Sequence, residues 1–176
     1  MGWRSLHNQQ ARFEALAGIG DLRGKSILDL GCGLGCFYGF LKARGWEGDY
    51  TGMDLLGSMV KNARARFPAA RFERRDILKH PPAERWDYVF ISGIFNHRVS
   101  DNWGWMERTV KGCLSLAERG VAFNVLNLEA GWYDRDLFYV HPGALEEKVR
   151  LWSGGNYKMV SGYLPEDVTA YLYKKP

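Results

Sequence analysis

The chain has 176 residues, of which 46% are hydrophobic and 25% are charged, and it carries a formal net charge of +4 with a pI of about 9.0. These values are typical of one globular domain, so we expect residues 1–176 to form a single domain with a full core. No apolar run approaches the roughly 20 residues that span a bilayer, and the N-terminus has no apolar signal core. We therefore expect a cytoplasmic protein with no membrane partner.

The predicted elements of the first half of the chain alternate between helix and strand. They are a helix over residues 5–17 within an N-terminal helical segment 1–23, a strand over 26–30, a helix that begins at 36 and is ended by Gly45, a strand over 50–54, a helix around 59–67 that Pro68 stops, and a strand over 70–74. Residues 24–176 are expected to form the core of the domain.

The second half continues this alternation and then ends in two consecutive strands. Its predicted elements are a nearly all-apolar strand over 86–92, a loop over 93–101, a helix over 102–119 with Gly120 at its end, a strand over 121–126, a loop over 127–141, a helix over 142–152, and strands over 157–163 and 168–173. The four residues that join the last two strands cannot hold a crossover helix, so these strands must pair antiparallel.

The order of elements predicts an α/β fold with three layers. We expect a Rossmann-like, doubly wound sheet that is mainly parallel, with helices on both faces and an antiparallel C-terminal hairpin strand. In such sheets, ligands bind beyond the carboxyl ends of the strands. The three cysteines give no disulfide framework, and the pair Cys32 and Cys36 lacks a nearby third thiol for an iron–sulfur cluster. We predict no metal site.

A glycine turn follows the first strand. Gly31, Gly33 and Gly35 lie between that strand and the next helix, where the backbone lets a ligand approach closely and meet helix N–H groups. The first three strands also each deliver an acid, in the order Asp29, Asp54 and Asp76. Asp54 lies 19 residues after Gly35, which is about the separation at which an acid reaches ribose hydroxyls in these folds.

A nicotinamide dinucleotide fits these residues poorly. Its fingerprint, G-x-G-x-x-G/A, requires Gly or Ala where this chain has Cys36. Three acids around a diphosphate are also electrostatically unfavourable. They suit a cofactor that carries an amine, a ribose and a sulfonium.

Residues 28–35, Leu-Asp-Leu-Gly-Cys-Gly-Leu-Gly, resemble motif I of the class I S-adenosylmethionine-dependent methyltransferases. Residues 50–54 resemble the second motif of that family, 74–77 its third and 86–90 its fourth strand, and the closing hairpin is similar to its sixth and seventh strands. The resemblance covers residues 24–173. It implies a methyltransferase enzyme that uses S-adenosyl-L-methionine and releases S-adenosyl-L-homocysteine.

The resemblance also implies roles for individual residues. Asp29 and the backbone of the glycine turn would hold the methionine moiety, Asp54 the ribose hydroxyls, and Asp76 the adenine amino group, with Met53, Leu55 and Ile77 flanking the adenine ring. The predicted cofactor-binding residues are Asp29, Gly31, Cys32, Gly33, Gly35, Asp54, Leu55, Asp76, Ile77 and Ser92. The alternative for each aspartate is that it caps the following helix.

The acceptor site is less well marked, because methyl transfer needs a base only when the nucleophile arrives protonated. Residues 92–98 lack the Asn/Asp-Pro-Pro-aromatic motif that enzymes of this family acting on DNA bases or glutamine often carry. Asn96, His97 and His141 are candidates to orient or deprotonate an acceptor, and the alternative is a packing or surface role. Arg12 is a candidate for the cofactor carboxylate.

Aromatic residues are frequent near the predicted site. They are Trp3, Phe95, Trp103, Trp105, Trp132, Tyr133, Phe138 and Tyr139. They form either a lid over a small acceptor or part of the core, because aromatic rings pack well in both settings. Since the chain has no inserted substrate domain, we favour a small-molecule acceptor.

Two other functions remain open. The basic stretch from Lys61 to Arg75 is compatible with an RNA methyltransferase, although a solvated helix face explains it as well. A non-catalytic cofactor-binding subunit is the third possibility. The methylated atom and the oligomeric state do not follow from the sequence.

Overall fold

A computed structural model of the protein describes residues 6–131 and 133–175. Its helices are α1 (Leu6–Ala17), α2 (Cys36–Ala43), α3 (Gly57–Arg66), α4 (Asn102–Leu116) and α5 (Pro142–Trp152). Its strands are β1 (Ile27–Leu30), β2 (Tyr50–Asp54), β3 (Arg71–Arg74), β4 (Trp86–Ile91), β5 (Ala117–Asn127), β6 (Tyr139–Val140), β7 (Tyr157–Val160) and β8 (Asp167–Tyr173). None of the described helices is long and apolar enough to cross a membrane.

The eight strands form one sheet in the order β3-β2-β1-β4-β5-β8-β7, and β6 pairs with the end of β5. Strands β1 to β5 pair parallel, whereas β8 runs antiparallel to both β5 and β7. The predicted fold class is thereby confirmed. Because β1 to β4 are parallel, their carboxyl ends share one edge of the sheet.

The core has two layers, one on each face of the sheet. Along β4, Val89 packs on one face while its neighbour Phe90 packs on the other, as the two-residue period of a strand requires. Helices α4 and α5 cover the first face, and α1, α2 and α3 cover the second. Since both faces are covered, the inner strands are apolar throughout, which explains why the sequence of β4 does not alternate.

The predicted end of the fourth helix was wrong. Helix α4 ends at Leu116, and Ala117 is already extended, with φ −88° and ψ 138°. Gly120 does not cap the helix but lies within β5, where an added Cβ would be 2.7 Å from the carbonyl oxygen of Leu172 on β8. The glycine is therefore required by the close approach of two strands.

Two further features, the end of β7 and the content of the loop over 127–141, differ from the sequence prediction. Strand β7 ends at Val160 rather than at residue 163, and the left-handed Gly162 (φ +85°) follows in the turn. The loop over 127–141 is also not wholly irregular, because it contains β6 and because Leu137 bridges to His97. These contacts fix the loop against the residues that follow β4.

Gly52 provides a test of packing in the central sheet. An added Cβ there would lie 2.5 Å from Cδ1 of Phe72 and 2.9 Å from Sγ of Cys32, so we expect Gly52→Ala to lower the unfolding free energy by about 1–3 kcal/mol. In the control Gly57→Ala, the new Cβ makes only ordinary contact at 3.5 Å in a helix, and stability should stay equal or rise by up to about 1 kcal/mol. Urea denaturation measures both, and equal values for the two variants would contradict the packing.

Candidate active site

A cavity of about 870 Å³ opens where the strands β1 to β4 end. Its volume lies within the usual range for small-molecule sites. One half, which we call the aspartate end, is lined by Gly31, Asp54, Leu55, Asp76 and Ile77. The other half, which we call the loop end, is lined by Asn8, Arg12, Asn96, His97, Asp134, Leu137, Tyr139 and Glu166.

The glycine turn borders the aspartate end, and Gly31 is the glycine of the turn that lines it. Gly31, Gly33 and Gly35 all have positive φ angles, of 76°, 53° and 72°. The N–H of Gly31 donates to the carbonyl of Met53 at 2.7 Å, which ties the turn to β2. An added Cβ at Gly31 would lie 2.1 Å from Cγ2 of Ile94, so only glycine fits between the turn and the segment after β4.

The carboxylate of Asp54 joins two turns. Its Oδ2 accepts the N–H of Gly33 at 2.9 Å, and its Oδ1 accepts the N–H of Leu56 at 2.9 Å. Each carboxylate oxygen has two lone pairs, so each retains one for a further donor. Asp54 is only partly buried and lines the cavity, and a pair of hydroxyl groups can therefore bind to it.

Asp76 also combines a local bond with exposure to the cavity. Its Oδ1 accepts the N–H groups of Leu78 at 3.0 Å and Lys79 at 3.3 Å. The capping role is therefore present, although it supports a turn rather than a helix. Its Oδ2 lies 4.0 Å from Nζ of the exposed Lys79, which is too far for a hydrogen bond. Since Asp76 lines the cavity as well, this oxygen can accept from a donor on a ligand.

Apolar side chains lie beside these two aspartates. Leu55 and Leu56 are each 58% exposed and Leu78 is 42% exposed, and all three line the cavity with Ile77. Large exposed apolar side chains at a cavity are typical of a ligand-binding surface. Met53, which was expected to flank an adenine ring, is fully buried in the core and does not line the cavity, so its placement gives no support to that expectation.

Asp29 does not line the cavity. Its side chain is 2% exposed, and Oδ2 accepts the hydroxyl of Tyr50 at 2.5 Å. Burial raises the pKa of Asp29 to about 7, the Tyr50 hydroxyl opposes that rise, and the charge of Asp54 adds to it. The carboxyl group therefore stands behind the glycine turn, in the interior.

The structure thus divides the ten predicted cofactor residues. It brings six of them to the cavity: Gly31, Asp54, Leu55, Asp76, Ile77 and Ser92. It places Asp29, Cys32, Gly33 and Gly35 outside the lining. Cys32 is buried, and its burial raises the pKa of the thiol well above its usual value, so the side chain belongs to the core.

Thr109 is a residue of the cavity that the sequence analysis did not identify. It lies on α4, is 3% exposed, and its Oγ1 has no hydrogen-bond partner in the described part of the chain. Ser92 Oγ and Asn96 Oδ1 are buried without a partner in the same way. Buried polar atoms are rarely unpaired, so three such atoms in one cavity are consistent with a ligand that pairs with them. A polar residue on the apolar face of α4 was the available signal for Thr109.

One wall of the loop end is formed by the first helix and by the residues at the start of the last strand. Nε of Arg12 donates to Oδ2 of the buried Asp167 at 2.6 Å, and Nδ2 of Asn8 donates to Oε1 of Glu166 at 2.6 Å. Burial raises the pKa of Asp167 to about 6, against the lowering effect of the Arg12 charge. Arg12 therefore lines the cavity but is paired with a carboxylate of the protein, and its role at the cofactor carboxylate stays a prediction.

Asn96 and His97 lie at the cavity, but His141 does not. The carbonyl of Asn96 accepts the N–H of Phe138 at 2.9 Å, which holds this segment against the loop over 127–141. The exposed His97 is at the rim. His141 caps α5, because its Nδ1 accepts the N–H of Gly143 at 3.2 Å, and its Nε2 lies 3.1 Å from Oε1 of Glu129. A catalytic role for His141 has no support in this placement.

The predicted aromatic lid is divided between the cavity and the core. Trp105 and Tyr139 line the cavity, whereas Phe95 is 1% exposed and packs edge-to-face against Trp105. Trp103 and Phe138 form another edge-to-face pair, with 5.9 Å between ring centroids. Trp3 and Trp132 lie outside the described residues.

Comparison with known proteins gives one consistent family. The sequence model of the family described as "Methyltransferase domain" matches residues 27–116. A Mycobacterium tuberculosis protein that carries a provisional methyltransferase name is 36% identical over 135 residues, which cover 68% of this chain and 75% of that protein.

Two further matches extend this result. The trans-aconitate 2-methyltransferase of Afipia carboxidovorans is 32% identical over 61% of this chain, but the match covers only 41% of that enzyme. The magnesium protoporphyrin IX methyltransferase of Synechocystis PCC 6803 with bound S-adenosylmethionine superposes with a TM-score of 0.70 and 14% identity, covering 97% of this chain and 81% of that protein. The last likeness shows a shared fold.

The raised pKa of Asp29 predicts a pH-dependent stability. Between about pH 4 and pH 7 the folded chain holds a proton that the unfolded chain has released, so this carboxyl group makes the unfolding free energy fall as the pH rises. Asp29→Asn removes that dependence and still accepts from Tyr50. The variant should therefore gain on the order of 2 kcal/mol over the unmodified protein between pH 5 and pH 8. Urea denaturation at both pH values measures this, and a constant difference would show that Asp29 does not titrate in this range.

Proposed function

Because the chain belongs to the class I S-adenosylmethionine-dependent methyltransferase family, we propose that it transfers the methyl group to a small molecule bound in the loop end of the cavity. The methyltransferase activity and the cofactor follow from the family. The acceptor class rests on one observation, which is that a single cavity runs from Asp54 and Asp76 to a far end enclosed by α1 and residues 134–139.

The aspartate end fits S-adenosylmethionine. Asp54 retains lone pairs for the two ribose hydroxyls, and Asp76 retains an oxygen for the adenine amino group. The apolar surface of Leu55, Ile77 and Leu78 suits the faces of the adenine ring. The unpaired hydroxyl of Thr109 lies one helical turn before Gly112, which faces Ile77 and Leu78, so it is placed to bond an edge of that ring.

Bound S-adenosylmethionine supplies a methyl group on a positively charged sulfur. The chain must hold the acceptor in line with that methyl group and exclude water. Asn96 has a buried amide oxygen without a partner among the described residues, and this oxygen can accept a hydrogen bond from the nucleophilic group and so orient its lone pair. His97 is at the exposed rim and can accept a proton there, while Trp105, Leu137 and Tyr139 keep water out.

The contacts that the basic stretch from Lys61 to Arg75 makes within the protein favour a small acceptor over RNA. The guanidinium of Arg64 donates twice to the carbonyl of Phe72, at 2.9 and 2.6 Å. Arg71 pairs with Glu73 and Glu84, and Arg75 also pairs with Glu73. Because the charges of Arg71 and Arg75 are paired with carboxylates of the protein, fewer remain to neutralise phosphates.

The relatives support a small acceptor without identifying it. Trans-aconitate, named for several of them, is a small molecule, but this chain spans about two fifths of the Afipia carboxidovorans enzyme of that name. The acceptor of that enzyme therefore is not assigned to this chain.

The acceptor class can be tested with S-adenosylmethionine labelled in the methyl group. The purified protein is incubated with a low-molecular-mass filtrate of a cell extract and, separately, with total RNA from the same cells. We expect transfer of label into the filtrate. Label that enters RNA and not the filtrate would overturn the proposal.

Asp54→Asn tests the ribose contact. The amide oxygen keeps one acceptor but loses the charge, so we expect S-adenosylhomocysteine to bind about 10- to 100-fold more weakly by calorimetry. The matched control is Asp49→Asn, at the exposed opposite end of the same strand, which should leave the affinity unchanged. A thermal unfolding curve of each variant separates loss of contact from loss of fold, and equal affinities would refute the assignment.

Asn96→Ala tests the orienting role. Since the amide oxygen has no partner in the described chain, its removal should leave stability and S-adenosylhomocysteine affinity unchanged while turnover falls about 10-fold or more. His141→Asn, which retains an N-cap for α5, should keep full turnover. The turnover of both variants is measured from the labelled product that forms in the filtrate. Full turnover in Asn96→Ala together with reduced turnover in His141→Asn would assign the orienting role to His141.

A further inference from the structure

The charges at the loop end are unequal. One guanidinium, that of Arg12, is accompanied by the carboxylates of Asp134, Glu166 and Asp167. Arg12 is bound to Asp167 at 2.6 Å, so this pair is neutral as a unit. Within residues 6–131 and 133–175, neither Asp134 nor Glu166 has a lysine or arginine nitrogen within 4.0 Å.

The other cations near the cavity do not balance these two carboxylates. Arg75 is the second arginine among the described lining residues, but it lies at the aspartate end and pairs with Glu73. Arg98 is exposed and outside the lining, and its guanidinium bonds to the hydroxyl of Tyr133. His97 contributes an imidazole only at the rim. An anionic acceptor therefore finds no unpaired arginine or lysine among the described residues that line the loop end.

An unpaired atom of the lining points to the same kind of ligand. Oδ1 of Asn96 is buried and has no hydrogen-bond partner in the described part of the chain. An amide oxygen accepts hydrogen bonds and cannot donate them. The group that pairs with it must bring N–H or O–H hydrogens.

The remaining wall is apolar and aromatic. Trp105, Leu126, Leu137 and Tyr139 line it. Such a surface binds the hydrocarbon body of a ligand, and aromatic rings also attract a cation through their faces. A compound that joins an apolar body to a charged amine matches both parts of the loop end.

We propose, on the basis of the function proposed above, that the methyl acceptor is a small amine whose ammonium group binds Glu166 and Asp134 while its apolar body packs against Trp105, Leu137 and Tyr139. The amine is the recognition group. A carboxylate in the same place would face two uncompensated negative charges at short range, which disfavours the tricarboxylate for which several relatives are named.

Matched pairs of ligands test this inference. The full chain, saturated with S-adenosylhomocysteine, is titrated by calorimetry with tryptamine against indole-3-propionate and with phenethylamine against 3-phenylpropionate. The members of each pair share a body and differ in the sign of the charge. We expect each amine to bind about 10- to 100-fold more tightly than its partner acid, with an affinity that falls as salt rises.

Two variants assign the preference to a residue. Glu166→Gln removes the charge but keeps the oxygen that accepts from Asn8, so the fold should persist while the preference for amines falls about 10-fold. Glu129→Gln makes the same charge change in the loop that follows β5, next to His141 and outside the cavity lining, and should leave the preference intact. S-adenosylhomocysteine affinity should be unchanged in both.

The outcomes separate this inference from the proposed function. Tighter binding of the acids, or an amine preference that survives Glu166→Gln, would contradict the inference of an amine acceptor. Neither result would contradict methyl transfer to a small molecule. If no member of either pair binds, the inference of an amine acceptor is also wrong. The labelling experiment, in which the methyl label enters either the filtrate or RNA, then decides the acceptor class independently.

Discussion

The carboxylate of Asp54 holds together the two turns on which the aspartate end depends. It accepts the N–H of Gly33 from the turn after β1 and the N–H of Leu56 from the turn after β2. Without it, two backbone donors beside the cavity would lose their partners. The same carboxylate retains lone pairs for a ligand in the cavity, so one residue both shapes the proposed cofactor site and is available to bind the cofactor.

The loop end depends on a contact between distant parts of the chain. Arg12 and Asp167 are 155 residues apart and meet in a buried ion pair that places α1 against the start of β8. Buried pairs of this kind contribute little net stability, but they fix geometry, because a misplaced partner would leave an uncompensated charge. The loop end, which we propose as the acceptor site, is therefore formed only when the first helix has docked on the completed sheet.

Local signals predicted the features that local sequence determines. The strand over 50–54 and the helix over 142–152 have the predicted bounds, and Asp54 and Asp76 lie at the cavity because each follows a parallel strand. The inward direction of Asp29 was not predictable, because both faces of a central parallel strand are buried. Gly120 resembled a helix cap, although the approach of β8 is what requires a glycine there.

The aspartate end is proposed to hold the cofactor and to leave the loop end for the acceptor. A crystal structure of the chain with S-adenosylhomocysteine tests this proposal most directly. We expect both ribose hydroxyls to lie within hydrogen-bond distance of the Asp54 carboxylate, with the sulfur directed toward Asn96 and the loop end free. A ribose remote from Asp54, or a cofactor that fills the loop end, would contradict it.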